Sequence, residues 1–122
     1  MLKIYSYSGC GTCRKAIKFL KERQIAYEEI PIRETPPSLQ ELGRGLKELE
    51  GDRGKLFNRS GRDYRELGLS KILPTMRDEE ALKLLAENGN LVKRPFVVLS
   101  KHKKTDQQIL IGFDEMVWRK VI

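Results

Sequence analysis

Residues 2–6 (Leu2-Lys3-Ile4-Tyr5-Ser6) alternate apolar and polar side chains, the period of a short strand. Ser8-Gly9-Cys10-Gly11 breaks the alternation as a turn. Beyond it the period becomes helical: Cys13, Ala16, Ile17 and Leu20 fall at i, i+3, i+4 and i+7, while Lys15, Lys18, Lys21 and Glu22 face the other way. Ile25–Ile32 predicts a second strand, so the chain opens as strand, helix, strand.

Pro36-Pro37-Ser38 interrupts this pattern, and Ser38 with Glu41 three residues on is a capping-box signature. The helix it starts has an apolar stripe of Leu39, Leu42, Leu46 and Leu49, weakened by Gly43 and Gly45. Gly51-Asp52-Arg53-Gly54 is a loop, and residues 55–77 read as short helical fragments around Tyr64–Leu67. Asp78–Asn88 is the third clear helix, with Ala81, Leu82 and Leu85 inward and Gly89 as its stop. Phe96–Leu99 is a buried strand, Lys101–Asp106 a polar turn and Gln108–Ile111 the returning strand. Gly112 ends that strand, and Asp114 caps a last helix carrying Met116, Val117 and Val121. The order implies one α/β domain over residues 1–122. A mixed sheet of about four strands has helices on both faces, and a helical insertion over about 36–90 separates a βαβ half from a ββα half.

Composition narrows the function classes. The chain has 122 residues, 24 Lys and Arg against 17 Asp and Glu, and a net charge of +7. The length suits a single core. No apolar run approaches the roughly 20 residues of a membrane span, and the start lacks the apolar segment of a secretory signal, so a cytoplasmic protein is expected. The basic balance permits anions, acidic protein surfaces or nucleic acid as partners. Direct nucleic-acid binding would rest on Lys101, Lys103 and Lys104 without interleaved aromatic residues, and is not expected.

The only cysteines, Cys10 and Cys13, sit where the first strand meets the first helix. Unpaired N–H groups at a helix start stabilise an anion there, so a thiolate at Cys10 has a lowered pKa and is nucleophilic near neutral pH. Cys13 lies one turn deeper, within reach for a disulfide. Gly11 permits a tight turn and substrate access, and Arg14 and Lys15 add positive charge. Two plainer arrangements use the same residues: ordinary structural thiols, or a metal site. Zinc usually takes four ligands, and this chain offers two cysteines and His102, which reads as a solvated surface residue; no metal is expected.

The segments Cys10-Gly11-Thr12-Cys13-Arg14-Lys15-Ala16, Leu56-Phe57-Asn58-Arg59-Ser60-Gly61 with Tyr64-Arg65-Glu66-Leu67-Gly68-Leu69, and Lys93-Arg94-Pro95, in this order, resemble the ArsC/Spx family over nearly the whole chain. The resemblance implies a thioredoxin-like fold with an inserted helical segment. It implies that Cys10 is the nucleophile, Cys13 the resolving cysteine of a reversible disulfide, and Arg94, before the family's cis-proline at Pro95, a partner for the thiolate or an oxyanion. Gly11, Thr12 and Pro95 then line the substrate position, and Arg59 falls near a second anion-binding arginine of arsenate reductases. Those enzymes carry a third arginine where this chain has Ile111-Gly112-Phe113-Asp114, and they usually lack the second cysteine. Spx-type regulators carry the paired cysteines and a Gly-aromatic pair resembling Gly112-Phe113, but Asp52 stands where their partner-binding surface has a glycine. Two expectations follow. One is an arsenate reductase-like thiol oxidoreductase without a bound cofactor, acting on a small thiol or oxyanion and reduced by glutathione or a thioredoxin-type partner. The other is a redox-sensing regulator binding the C-terminal domain of the RNA polymerase α subunit. A monomer is expected in either case.

Overall fold

The computed structural model describes residues 1–100 and 107–122. Its elements are β1 (Leu2–Ser6), α1 (Gly11–Glu22), β2 (Tyr27–Pro31), α2 (Leu39–Glu48), α3 (Arg62–Glu66), α4 (Leu69–Ile72), α5 (Asp78–Glu87), β3 (Phe96–Leu99), β4 (Gln108–Ile111) and α6 (Glu115–Val121). Short 3₁₀ turns cover Arg53–Leu56, Leu73–Thr75 and Gly89–Leu91. The expected polar turn at 101–106, with His102, lies outside the described residues.

The four-stranded sheet runs β2-β1-β3-β4. β1 and β2 are parallel and joined through α1, with Ile4 opposite Glu29; β3 is antiparallel to both β1 and β4, with Val97 opposite Ile4 and Leu110. The mixed α/β architecture is the expected one. Side chains alternate across the sheet, so each strand serves two cores. Leu2, Ile4, Val97 and Leu110 pack with Ala16, Phe19 and Leu20 of α1 and Trp118 of α6. Tyr5, Phe96, Val98 and Ile109 pack with Leu42 of α2, Ala81 and Leu85 of α5, and Leu56, Phe57 and Tyr64. A strand buried on both faces has no polar side, which is why Phe96-Val97-Val98-Leu99 is uninterrupted. No helix among the described residues is long and apolar enough to cross a membrane.

Three local expectations need correction. Leu39 is 54% exposed, because α2 begins there and its stripe starts at Leu42. In α6 the inward residue is Trp118, while Met116 and Val117 are exposed at 72% and 44%. Trp118 meets Phe19 and Phe113 edge-on at 5.9 and 4.8 Å between ring centroids, a geometry aromatic pairs prefer. Gly89 does not end α5 as a left-handed cap. Its backbone lies so close to β2's exit that a Cβ would sit 1.8 Å from the Ile32 carbonyl oxygen and 3.2 Å from Arg33 Cα.

Candidate active site around Cys10

The site lies at the C-terminal edge of β1. Cys10 is the N-cap of α1: its backbone is extended, and its sulfur accepts the Cys13 amide at 3.4 Å. The first turn of α1 holds no carboxylate, so the partial positive charge of the helix mouth is not neutralised locally. The Cys10 amide donates to the Tyr7 carbonyl at 3.0 Å, which fixes the loop. Both cysteines are unbridged, Cys10 half-buried and Cys13 only 1% exposed.

Burial works against a thiolate at Cys10. It is outweighed by hydrogen bonds from the Cys13 thiol and amide, by the Arg94 charge and by the Thr12 amide, which together hold the Cys10 thiol below its ordinary range. Burial pushes the Cys13 thiol the other way, up to about 12, and the neighbouring Cys10 sulfur adds to the rise. One thiol is therefore poised as a nucleophile beside a second that stays protonated. The side-chain charge acting on Cys10 comes from Arg94 rather than from Arg14 or Lys15. Arg14 instead donates to the Ser8 carbonyl at 2.8 Å, and Lys15 is exposed.

Arg94 reaches the site because the segment that carries it is anchored before and after it. Phe57 and Val92 form an isolated antiparallel bridge, flanked by Asn58 N–H to Leu91 O at 2.8 Å and Lys93 N–H to Leu56 O at 2.7 Å. The Arg94–Pro95 bond is cis, Pro95 is buried, and its carbonyl accepts the Gly112 amide at 2.9 Å.

Gly11 has no positive φ, and a Cβ there would meet only Arg14 Nη2 at 3.8 Å. The tight turn does not require glycine at that position, although the missing side chain leaves the approach to Cys10 open. The more tightly packed glycine of the loop is Gly9, whose Cβ would lie 2.6 Å from the Tyr7 ring and displace it. Arg59 does not join Cys10 and Arg94. It lines a separate cavity with Gly54, Tyr64 and Pro74. The arginines beside Arg94 are Arg33 and Arg62, in a cavity of about 260 Å³ also lined by Tyr7, Asn58, Asp63 and Asn90. Sequence reasoning missed Tyr7, Arg33 and Arg62, and no local spacing marks them. Among the described residues no group of three or more His, Cys, Asp or Glu side chains could hold a metal.

A family model described as the ArsC family matches residues 5–121 of this sequence. The chain belongs to the ArsC family. Within that family it is 46% identical over 116 residues to the uncharacterized protein YusI of Bacillus subtilis (strain 168), covering 93% of this chain and 92% of that protein. It is 29% identical over 122 residues to the global transcriptional regulator Spx of Enterococcus faecalis (strain ATCC 700802 / V583), covering 94% of this chain and 81% of that protein. It superposes with a TM-score of 0.83 and 35% identity on the crystal structure of a possible arsenate reductase from Streptococcus mutans UA159, covering 100% and 98% of the two chains. The ArsC fold therefore extends along this whole chain, and both branches of the resemblance are represented among its relatives.

Proposed function

We propose that this ArsC-family chain is a cytoplasmic thiol–disulfide redox protein of the arsenate reductase-like type. The observation that supports it is the Cys10 sulfur at the mouth of α1, held below the ordinary thiol range beside Arg94 and next to the buried Cys13 thiol. The Cys10 thiolate attacks a disulfide R–S–S–R′, forming a Cys10–S–R bond as the S–S bond breaks and R′–S⁻ leaves. Arg94 and the helix mouth stabilise the negative charge spread over the sulfurs in that step. The Cys13 sulfur then displaces R–S⁻ from Cys10, and the Cys13 proton leaves with the departing thiolate. The products are two thiols and a Cys10–Cys13 disulfide, so two electrons have passed to the substrate. Two glutathione molecules, or one thioredoxin-type dithiol, return them. An oxyanion such as arsenate could occupy the same position against Cys10 and Arg94. Thr12 and Pro95 border that position, and Gly11 leaves it open.

The test is turnover. Repeated cycles with glutathione or thioredoxin and a disulfide or arsenate substrate are expected from the wild-type chain, and a mixed disulfide should accumulate on Cys10 in Cys13→Ser. The relative named Spx, matching over 94% of this chain, favours a second reading: a redox switch that binds the C-terminal domain of the RNA polymerase α subunit. Oxidation that stops at one equivalent, with capture of that subunit, would select the regulator.

A further inference from the structure

The cavity beside Arg94 is more basic than its neighbours require. Three arginines, Arg33, Arg62 and Arg94, line it against one carboxylate, Asp63. Asp63 is already engaged: its Oδ2 accepts the side-chain amides of Asn88 at 3.1 Å and Asn90 at 3.3 Å, and its Oδ1 lies 3.6 Å from Arg62 Nε. Arg62 also has Glu66 Oε1 at 3.8 Å. Arg33 and Arg94 differ. Among the described residues neither has a carboxylate oxygen within 4.0 Å, and both guanidiniums lie against one ring, 4.7 and 5.1 Å from the Tyr7 centroid. Two cations held against one aromatic ring and lining one cavity without a counter-ion repel each other, so an anion in that cavity is favoured. Tyr7 and Arg94 also belong to the Cys10 site, through the Tyr7 carbonyl that holds the Cys10 amide and the Arg94 charge on the sulfur.

The seating of Arg33 is built rather than incidental. The close packing of Gly89 on Ile32 and Arg33 brings the exit of β2 against the turn that supplies Asn90. Arg33 is thereby held over the cavity from one half of the fold and Arg94 from the other. At about 260 Å³ the space is small for a drug-sized ligand, and it suits a carboxylate on a short arm.

We propose that the Tyr7–Arg33–Arg94 cavity binds the carboxylate of a small anionic disulfide whose sulfur meets Cys10, so that Arg33 sets the charge preference of the substrate. This rests on the thiol–disulfide reading above and specifies its substrate class as a carboxylate-bearing low-molecular-weight disulfide. A planar guanidinium suits that group because it donates two parallel hydrogen bonds to it.

The experiment follows oxidation of the reduced full chain by three disulfides of similar size: dithiodipropionate (anionic), hydroxyethyl disulfide (neutral) and cystamine (cationic). The wild type should react fastest with the anionic probe and slowest with the cationic one. In Arg33→Gln the anionic-to-neutral rate ratio should fall by about tenfold or more, and Arg33→Lys should recover part of it. An unchanged ratio in Arg33→Gln, or equal losses for all three probes as a distorted site would give, overturns the proposal. A wild type that reacts with all three and shows no charge preference also overturns it while leaving the thiol–disulfide reading intact. A wild type that reacts with none of them refutes the thiol–disulfide reading itself.

Discussion

The packing of Gly89 on β2's exit gives a steric prediction whose sign and size follow from distances. In Gly89→Ala the new methyl would stand 1.8 Å from Ile32 O and 2.7 Å from its carbonyl carbon. Real Cβ atoms do not approach oxygen so closely, and both obstructing atoms are backbone, so no side-chain rotation relieves the clash. The segment carrying Ile32 and Arg33 has to retreat by roughly 1 Å or more, and Ile32, fully buried, has to leave its packing. Forced displacement of this kind costs roughly 1–3 kcal/mol, and here it should reach the upper end because backbone must move. A loss of about 3 kcal/mol is a large share of the 5–15 kcal/mol that holds a typical domain together. The control is Gly43→Ala in the middle of α2, where a Cβ would meet nothing within 4 Å. That change should stabilise by up to about 1 kcal/mol through helix propensity. Urea denaturation of both variants at equal m-value reads the two signs directly. Gly89→Ala within 1 kcal/mol of wild type would refute the steric argument, as would a destabilised Gly43→Ala.

Other outcomes follow from the same geometry. In Cys13→Ser, Cys10 should still react rapidly with iodoacetamide near neutral pH, and in Cys10→Ser the remaining thiol should be slow; a faster Cys13 would reverse the roles. In Arg94→Gln, the pH profile of Cys10 alkylation should move to higher pH, since a charge that favours the thiolate is gone; an unmoved profile would remove Arg94 from the site. Glu41, nearly buried, accepts Lys3 Nζ at 2.6 Å, the Tyr5 hydroxyl at 2.7 Å and the Ser38 amide at 3.1 Å, and these bonds outweigh the opposing effect of burial to hold its carboxyl below the usual value. Its stabilisation is therefore present above the unfolded carboxyl pKa and is lost as pH falls through the lower folded one. Lys3→Met should cost about 2–3 kcal/mol at neutral pH, less than a fully buried pair because Lys3 is partly solvated, and the cost should shrink in acid; a pH-independent difference would contradict the assignment. Trp118→Ala should cost about 3–5 kcal/mol by emptying the aromatic cluster with Phe19 and Phe113, measured by denaturation.

The elements set by local pattern were legible in the sequence. The βαβ opening, the capping box at Ser38, the hairpin of β3 and β4 and the placement of Cys10 at a helix mouth all follow from spacing over a few residues. Features decided by distant chain segments were not. Trp118 is buried because Phe19 and Phe113 come to meet it, whereas Val117 beside it in sequence has no such neighbours. Arg33 carries no local mark, and its place in the cavity appears only when Tyr7 and Arg94 are brought to it from other parts of the chain. Arg59 and Asn58 are adjacent in sequence, yet the turn after the bridge at Phe57 sends Asn58 to the Arg94 cavity and Arg59 to another. Gly89 read as a helix stop because its real constraint, the Ile32 carbonyl, lies in another part of the chain.

The bridge between Phe57 and Val92 has a consequence for how this architecture can vary. Although residues 36–90 form one contiguous stretch, they cannot be treated as a cassette to be cut out or exchanged, because one rail of the short ladder that aims Arg94, Leu56–Asn58, lies within the stretch and the other, Leu91–Lys93, lies just beyond its end. A graft that changed the length between those rails would re-aim the guanidinium while leaving every cysteine untouched. Reactivity at the Cys10 sulfur is thus tied to the shape of a region that contains no cysteine.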